Sequence, residues 1–213
     1  RLDWSSLERR PADFVDGRLR HRHSDLLFAI RTTDTHEEIL VYTLIEHQSS
    51  PDPLMAFRML RYLVRIWEDH LKAHRGAKQL PLILPLVVYH GPERWNAART
   101  LRHLLHGPED LIAAAAEHLP QFRYRLFDLQ HPGGDALRER HLTPGGRVAL
   151  QAMALQGHDD RVLAAIREMG PVIGEMLAEP DGQAALDAFL LYLLATHEHV
   201  DRTEFQRPVK DTI

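Results

Sequence analysis

The chain has 213 residues, of which 44% are apolar and 26% are charged, and its formal net charge is −4. This length suits one domain of ordinary size or one domain plus an appendage, and the apolar share excludes a disordered chain. There is no cysteine, which excludes disulfide frameworks, thiolate nucleophiles and cysteine-based zinc sites and fits a reducing, cytoplasmic setting.

Charge and hydropathy also limit the partners. The longest apolar run, residues 80–89, is half the length of a membrane span and contains two prolines, so no membrane association is expected. A basic footprint for nucleic acid is absent from the whole chain. It exists locally in residues 18–23 and in the arginines of residues 58–65.

A β-hairpin, a helix and a third strand are predicted in the first half of the chain. Residues 25–31 and 39–48 are rich in aliphatic side chains, and the polar segment between them is turn-like. Residues 54–76 repeat their apolar side chains at helical spacing after Asp52, a residue type that caps helices. Residues 80–91 form another buried strand. The order strand, helix, strand predicts a crossover that joins two parallel strands.

The remaining elements define the predicted organisation. A further short strand is expected within residues 7–20, short helices within 99–107 and 108–119, another strand within 122–129, and helices at 145–157, 159–180 and 181–200. Glycine and proline punctuate residues 131–135, which favours a boundary there. The chain is therefore predicted to be an α/β protein, with a mixed central sheet flanked by helices over residues 1–130 and a helical section over residues 131–213.

Three polar residues interrupt the strand-like sequence of the hairpin. Glu46 and Gln48 share one face of their strand because residues two apart point the same way. A hairpin folded about the middle of the loop places Asp25 opposite Glu46, at a Cβ separation of roughly 5 Å. Carboxylates that close repel one another, and a divalent cation such as Mg²⁺ or Mn²⁺ relieves the repulsion. In the alternative interpretation, Asp25 only starts one strand and Glu46 only ends the other.

Basic side chains near these acids are candidates for phosphate binding. Arg58, Arg61 and Arg65 recur at helical spacing just after the acids, and arginine binds phosphate in a bidentate manner. His90 ends the third strand, where functional groups often lie in α/β sheets. An exposed polar helix face and a structural histidine are the alternatives.

Three segments of the chain resemble a known family. "HSDLLF", "LIEHQSSPDPLMAFRMLRYLVRIWE" and "LPLVVYHG" closely resemble the Rpn family of recombination-promoting nucleases, also called YhgA-like putative transposases, of the PD-(D/E)XK nuclease superfamily. The resemblance covers roughly residues 2–130, and it implies a restriction-endonuclease-like core. It also implies an N-terminal helix that would precede Arg1.

The resemblance also implies roles for individual residues. Asp25 corresponds to the first acid of the family and Glu46 to the acid of its E-x-K-like motif, so both would bind the metal. Gln48 stands where the wider superfamily has lysine, and glutamine can only hydrogen-bond. Some of the electrostatic work on the phosphate would then fall to the metal or to arginine.

The expected function is that of a Mg²⁺- or Mn²⁺-dependent DNA endonuclease, linked to recombination or mobile elements and using Asp25, Glu46 and Gln48. A homodimer would cut both strands more easily. The alternatives are a DNA-binding or protein-interaction module of the same fold with weak catalysis, and a toxin-like or defence element with a protein partner.

Overall fold

The computed structural model describes residues 1–10, 23–46, 51–91, 93–129, 142–155 and 158–197, and at positions 23–25, 42 and 44–46 it describes the backbone alone. The chain divides into two compact units, Arg1–Phe127 and Asp128–Ile213. None of the helices in the described ranges combines the length and apolar character that a membrane span requires.

The first unit combines strands with one long helix. In chain order its elements are β1 (Leu2–Arg10), β2 (His23–Thr32), β3 (Glu38–Glu46), α1 (Met55–Ala73), β4 (Ile83–Tyr89), a 3₁₀ turn (Leu101–Leu104), α2 (Glu109–Ala114), a second 3₁₀ turn (Ala116–His118) and β5 (Arg125–Asp128). The described strands form one sheet in the order β1-β2-β3-β4-β5. β1, β2 and β3 are antiparallel neighbours, whereas β3 and β4 run parallel. The predicted mixed α/β sheet is confirmed.

The edge strand β1 is irregular. Its pairing with β2 shifts between Asp3 and Glu8. Within this interruption, the backbone N–H and the hydroxyl of Ser5 both donate to the carboxylate of Asp3, at 3.1 and 2.6 Å. The Ser6 hydroxyl accepts a hydrogen bond from the backbone N–H of Arg31 at 2.8 Å. Side-chain hydrogen bonds therefore replace part of the regular backbone hydrogen-bond ladder between β1 and β2. The sequence predicted a strand within residues 7–20, and the observed strand begins earlier.

Helix α1 covers one face of the sheet. Its start is shaped by Asp52, whose side chain accepts from the backbone N–H of Leu54 at 2.8 Å. The helix ends at Ala73, before Gly76. The core of this unit combines buried residues of the sheet and the helix, including Leu27, Ala29, Leu40, Ile83, Val87, Met55, Met59, Tyr62 and Ile66. The core residues of β2 and β4 lie two or four positions apart along their strands and therefore share one face of the sheet. This face packs against α1.

From residue 142 onwards, the second unit is helical in the described residues. It contains α3 (Pro144–Ala154), α4 (Asp159–Glu168), α5 (Gly170–Leu177) and α6 (Gly182–Thr196). Residues 159–180 were predicted as one helix and instead form two. Pro171 lacks the backbone N–H that would continue the first helix and occupies the first turn of the second, where that donor is not needed.

An apolar cluster joins these helices. It includes Val148, Val162, Ile166, Ile173, Met176, Leu186, Phe189 and Leu193. α5 and α6 approach closely at Gly182, where a Cβ atom would lie 2.2 Å from the carbonyl oxygen of Met176. Only glycine fits this approach without a backbone shift.

Candidate active site

The hairpin register decides where the two predicted acids lie. Asp25 pairs with Leu44, and Glu46 pairs with His23. The predicted pairing of Asp25 with Glu46 is therefore wrong by two residues. Because faces alternate with a period of two, a shift of two keeps both positions on one face. Asp25 is in line with Leu27 and Ala29 along β2 and therefore occupies the sheet face that carries α1.

The turn explains the shift. The ladder extends to Arg31 and Glu38, and the backbone N–H of Thr32 also donates to the carbonyl of Glu37 at 2.9 Å. His36 has a φ of 55° and completes the tight reversal. The loop is thus shorter than the polar stretch of sequence, and its centre lies earlier in the chain than the sequence suggests.

Positions 25 and 46 are close enough to serve one cation. Diagonal neighbours on paired antiparallel strands lie about 7–8 Å apart at Cα. A Mg²⁺ ion takes carboxylate oxygens at about 2.0–2.1 Å and keeps several waters. Two acidic residues at this diagonal spacing fit such an ion by donor chemistry and by backbone separation. Gln48, the third predicted member, lies outside the described residues.

An aromatic cluster lies next to the position of Glu46. In the parallel ladder, Glu46 pairs with Tyr89, which is fully buried. The ring of Tyr89 meets Trp95 edge-on at a centroid distance of 4.9 Å, and Trp95 meets Tyr124 at 6.2 Å. The indole N–H of Trp95 donates to the carbonyl of Ala97 at 3.0 Å. These rings stabilise the carboxyl end of β4.

Tyr124 is a buried polar member of this cluster. Its hydroxyl donates to the carbonyl of Ala98 at 3.1 Å. Burial raises the pKa of Tyr124 above its usual range, and the charges of Arg99, Asp52 and Arg58 also act on it. The phenol therefore stays neutral at physiological pH. Tyr124 was not predicted from the sequence, because an aromatic residue in a short strand does not show which site it supports.

Arg58 is a buried ion-pair partner rather than an exposed cation. Its side chain is 10% exposed, and its Nη1 lies 3.0 Å from a carboxylate oxygen of Asp52. Asp52 thus orders the start of α1 and neutralises the guanidinium. Asp52 was expected to act only as a helix cap, and its pairing with Arg58 was missed.

The other two predicted substrate-binding residues lie in different environments. Arg61 is exposed on the outer side of α1. His90 follows β4 directly and is only 3% exposed. The structure therefore separates the three predicted phosphate ligands, with Arg58 and His90 inside the first unit and Arg61 on its surface.

Histidine and acidic side chains elsewhere in the described part of the chain do not form a metal-binding cluster. The side chains of Asp25 and Glu46 are not among those described. Among the described side chains, no group of three or more histidine, aspartate or glutamate residues lies close enough together to hold a metal ion. His197 is buried and hydrogen-bonded to Asp159 at 2.5 Å. That histidine has a structural partner.

The fold and the site define an α/β protein whose mixed sheet brings two acidic positions together on the face covered by its long helix. The family described as "Putative transposase, YhgA-like" matches residues 1–170. The chain belongs to this family, which confirms the resemblance seen in the sequence.

Several curated relatives carry names that describe activity. The chain is 39% identical over 206 residues, 95% of its length and 73% of the relative's, to "Recombination-promoting nuclease RpnD" of Escherichia coli O157:H7. It is 42% identical over 91 residues, 43% of its length and 30% of the relative's, to "Recombination-promoting nuclease RpnA" of Escherichia coli K12. It is 37% identical over 86 residues, 40% and 27% of the two chains, to "Inactive recombination-promoting nuclease-like protein RpnE" of the same strain. No solved structure matches the chain.

Proposed function

We propose that the protein is a metal-dependent DNA endonuclease that hydrolyses phosphodiester bonds and acts in recombination or in mobile elements. The observation that carries this proposal is the hairpin register, which sets positions 25 and 46 on one sheet face as diagonal neighbours. The name of RpnD, a relative matched over nearly the whole chain, supports the same activity.

Each residue has a role in this proposal. Asp25 and Glu46 would hold Mg²⁺ or Mn²⁺, which would supply a water of lowered pKa and a positive charge beside the phosphate. Gln48 would orient the attacking water or the phosphate by hydrogen bonds alone. The aromatic cluster around Tyr89 keeps the end of β4 fixed next to Glu46. The buried pair of Arg58 and Asp52 holds the start of α1 in place.

A cleavage assay tests the two acids. Supercoiled plasmid is incubated with Mg²⁺ or Mn²⁺ and the purified protein, and nicked and linear products are counted. Asp25→Asn and Glu46→Gln are each expected to lower the rate by about 10²–10³, the usual cost of removing a group that stabilises transition-state charge. Glu38→Gln is the matched control, because Glu38 lies at the opposite end of β3 and pairs with Arg10.

A second measurement separates metal binding from turnover. Calorimetric titration with Mn²⁺ is expected to show one site that weakens in both acid variants and persists in Glu38→Gln. If Asp25→Asn and Glu46→Gln cleave as fast as the unmodified protein, the proposed roles of these acids are wrong.

A second candidate function is DNA binding or protein interaction with little or no catalysis. The specific observation in its favour is that the relative RpnE is named inactive. DNA affinity that falls steeply with salt, without any cleavage product in either metal, would select this function over the first.

A further inference from the structure

The outer side of α1 carries an ordered line of exposed side chains. Along the helix and its first flanking residue, exposure recurs at alternating intervals of three and four residues, at Leu54, Phe57, Arg61, Val64, Glu68 and Leu71. We call these six residues the α1 stripe. Its four apolar members are 55%, 51%, 41% and 42% exposed in chain order. Single exposed apolar residues are common, but four of them aligned along one side of a helix, with one basic and one acidic residue between them, mark a surface for association.

The charged residues of the α1 stripe are placed so that the stripe is complementary in charge to a second, antiparallel copy of the α1 stripe. Arg61 lies three residues before Val64 and Glu68 lies four residues after it. An antiparallel two-fold axis at Val64 brings Arg61 of each copy to within one residue, about 1.5 Å along the helix axis, of the level of Glu68 of the partner subunit. The same axis brings Phe57 opposite Leu71 of the partner subunit. A parallel arrangement would set like charges against each other, which costs free energy.

We propose that the α1 stripe is a homodimer interface, in which the two α1 helices pack antiparallel about a two-fold axis at Val64. The occupant is a second copy of this chain because the charge pattern is complementary to its own reverse. The interface has the isologous form that two-fold dimers require, with each contact made twice. This inference is independent of cleavage, since it rests on the outer side of α1 alone.

The absence of cysteine from the chain allows a direct test. Helices that pack at about 8–10 Å between axes bring directly facing Cα atoms to about 3.4–5.4 Å, which overlaps the range of about 4.4–6.8 Å that a disulfide spans. Val64→Cys is therefore expected to form a covalent dimer under mild oxidation. Leu111→Cys, at a residue of α2 that is 62% exposed, is the matched control and is expected to form no covalent dimer under the same oxidation, since it lies outside the proposed interface.

A charge exchange tests the pairing itself. By analytical ultracentrifugation, Arg61→Glu and Glu68→Arg are each expected to weaken dimerisation by about tenfold, because two attractive contacts become repulsive. The double variant Arg61→Glu/Glu68→Arg restores both contacts in reverse and is expected to recover the original affinity. If Arg61 served only to bind phosphate, the exchange would not restore anything. Thermal unfolding checks that each variant is folded.

Three results would each overturn the proposal. The unmodified protein could remain monomeric at about 100 µM, a concentration at which even a micromolar dimer is assembled. Val64→Cys could cross-link no faster than Leu111→Cys. The double variant could remain as weak as the single ones. The first result would mean that a different partner or segment covers the stripe.

Discussion

The two units of the molecule differ in what they bury. Among the described residues, the buried polar or charged side chains of the sheet unit are Thr43, Arg58 and His90, and the helical unit has only His197. Those of the sheet unit lie along β3, at the start of α1 and just after β4. Buried polar groups cost free energy unless they are paired. In the sheet unit Arg58 is paired with Asp52 at the end that carries the candidate site, whereas the helical unit buries mainly apolar side chains.

The units can be followed separately in solution. All three tryptophans, Trp4, Trp67 and Trp95, belong to the sheet unit. Tryptophan fluorescence therefore reports the unfolding of the sheet unit, and far-UV circular dichroism reports helix in both. Substitutions in each unit can then be compared by the free energy of unfolding that each one removes.

Gly182→Ala is expected to have the largest effect on the helical unit. The added Cβ would lie 2.2 Å from the carbonyl oxygen of Met176 and 2.7 Å from the Cα of Leu177. Backbone atoms must move, so we expect a loss of about 3 kcal/mol or more in the free energy of unfolding. Urea unfolding followed by circular dichroism measures it. Gly174→Ala is the control because its Cβ meets nothing within 4 Å. A loss as small as that of the control would disprove the tight approach.

Arg58→Met tests the buried ion pair of the sheet unit. It leaves the carboxylate of Asp52 without this partner, 3.0 Å from the lost guanidinium nitrogen. We expect a loss of about 2–3 kcal/mol, because an uncompensated charge remains in a largely buried place. Urea unfolding followed by tryptophan fluorescence measures it.

The double variant Arg58→Met/Asp52→Asn should recover part of this loss. Lys72→Met breaks the exposed pair of Lys72 with Asp69 and should leave the free energy of unfolding close to that of the unmodified protein, because water screens an exposed ion pair. Equal losses in Arg58→Met and Lys72→Met would remove the distinction between the buried and the exposed pair.

Asp159→Asn tests a buried polar contact of the helical unit. The buried His197, directly after α6, lies 2.5 Å from a carboxylate oxygen of Asp159 at the start of α4. We expect a loss of about 1–2 kcal/mol, the usual effect of weakening a charge-assisted hydrogen bond at a buried group. Circular dichroism in urea measures it. Asp160→Asn, next to it and exposed, is the control and should leave stability unchanged.

Tyr192 is expected to make the stability of the helical unit fall in alkali. Burial raises the pKa of Tyr192 to about 12 in the folded protein, whereas an unfolded tyrosine has a pKa of about 10. The stabilisation that comes from keeping this phenol neutral and buried is therefore complete below a pH of about 10. It is lost as the pH rises through the pKa of the folded protein. The loss between pH 9 and 11 should be smaller in Tyr192→Phe. Identical pH profiles in the two proteins would contradict this.

Local patterns allowed much of the sheet unit to be predicted from sequence. Helix α1 was predicted to within a few residues because its apolar side chains repeat at a helical period. The parallel pairing of β3 with β4 followed from element order, and it is confirmed. The family was recognised from the segments around these same elements, and it is confirmed.

Two of the errors, the hairpin register and the missed pairing of Arg58, come from side-chain contacts that no periodicity reveals. In the hairpin turn, the hydroxyls of Thr32 and Thr35 lie 2.8 Å apart, and the backbone N–H of Glu37 donates to Thr32 at 3.1 Å. These contacts lengthen the ladder and shift the partner of Asp25. The pairing of Arg58 with Asp52 also depends on a chain reversal before α1. The metal and DNA roles of Asp25, Glu46 and Gln48 stay predictions.

The interrupted pairing of β1 has a consequence for how the protein behaves at high concentration. Regular edge strands invite backbone pairing between molecules and can seed amyloid-like aggregates. Here one edge is broken between Asp3 and Glu8, where Ser6 takes up the backbone N–H of Arg31. The other edge, β5, has only four residues. Both margins offer a poor template to an incoming strand, which protects the sheet from fibril growth.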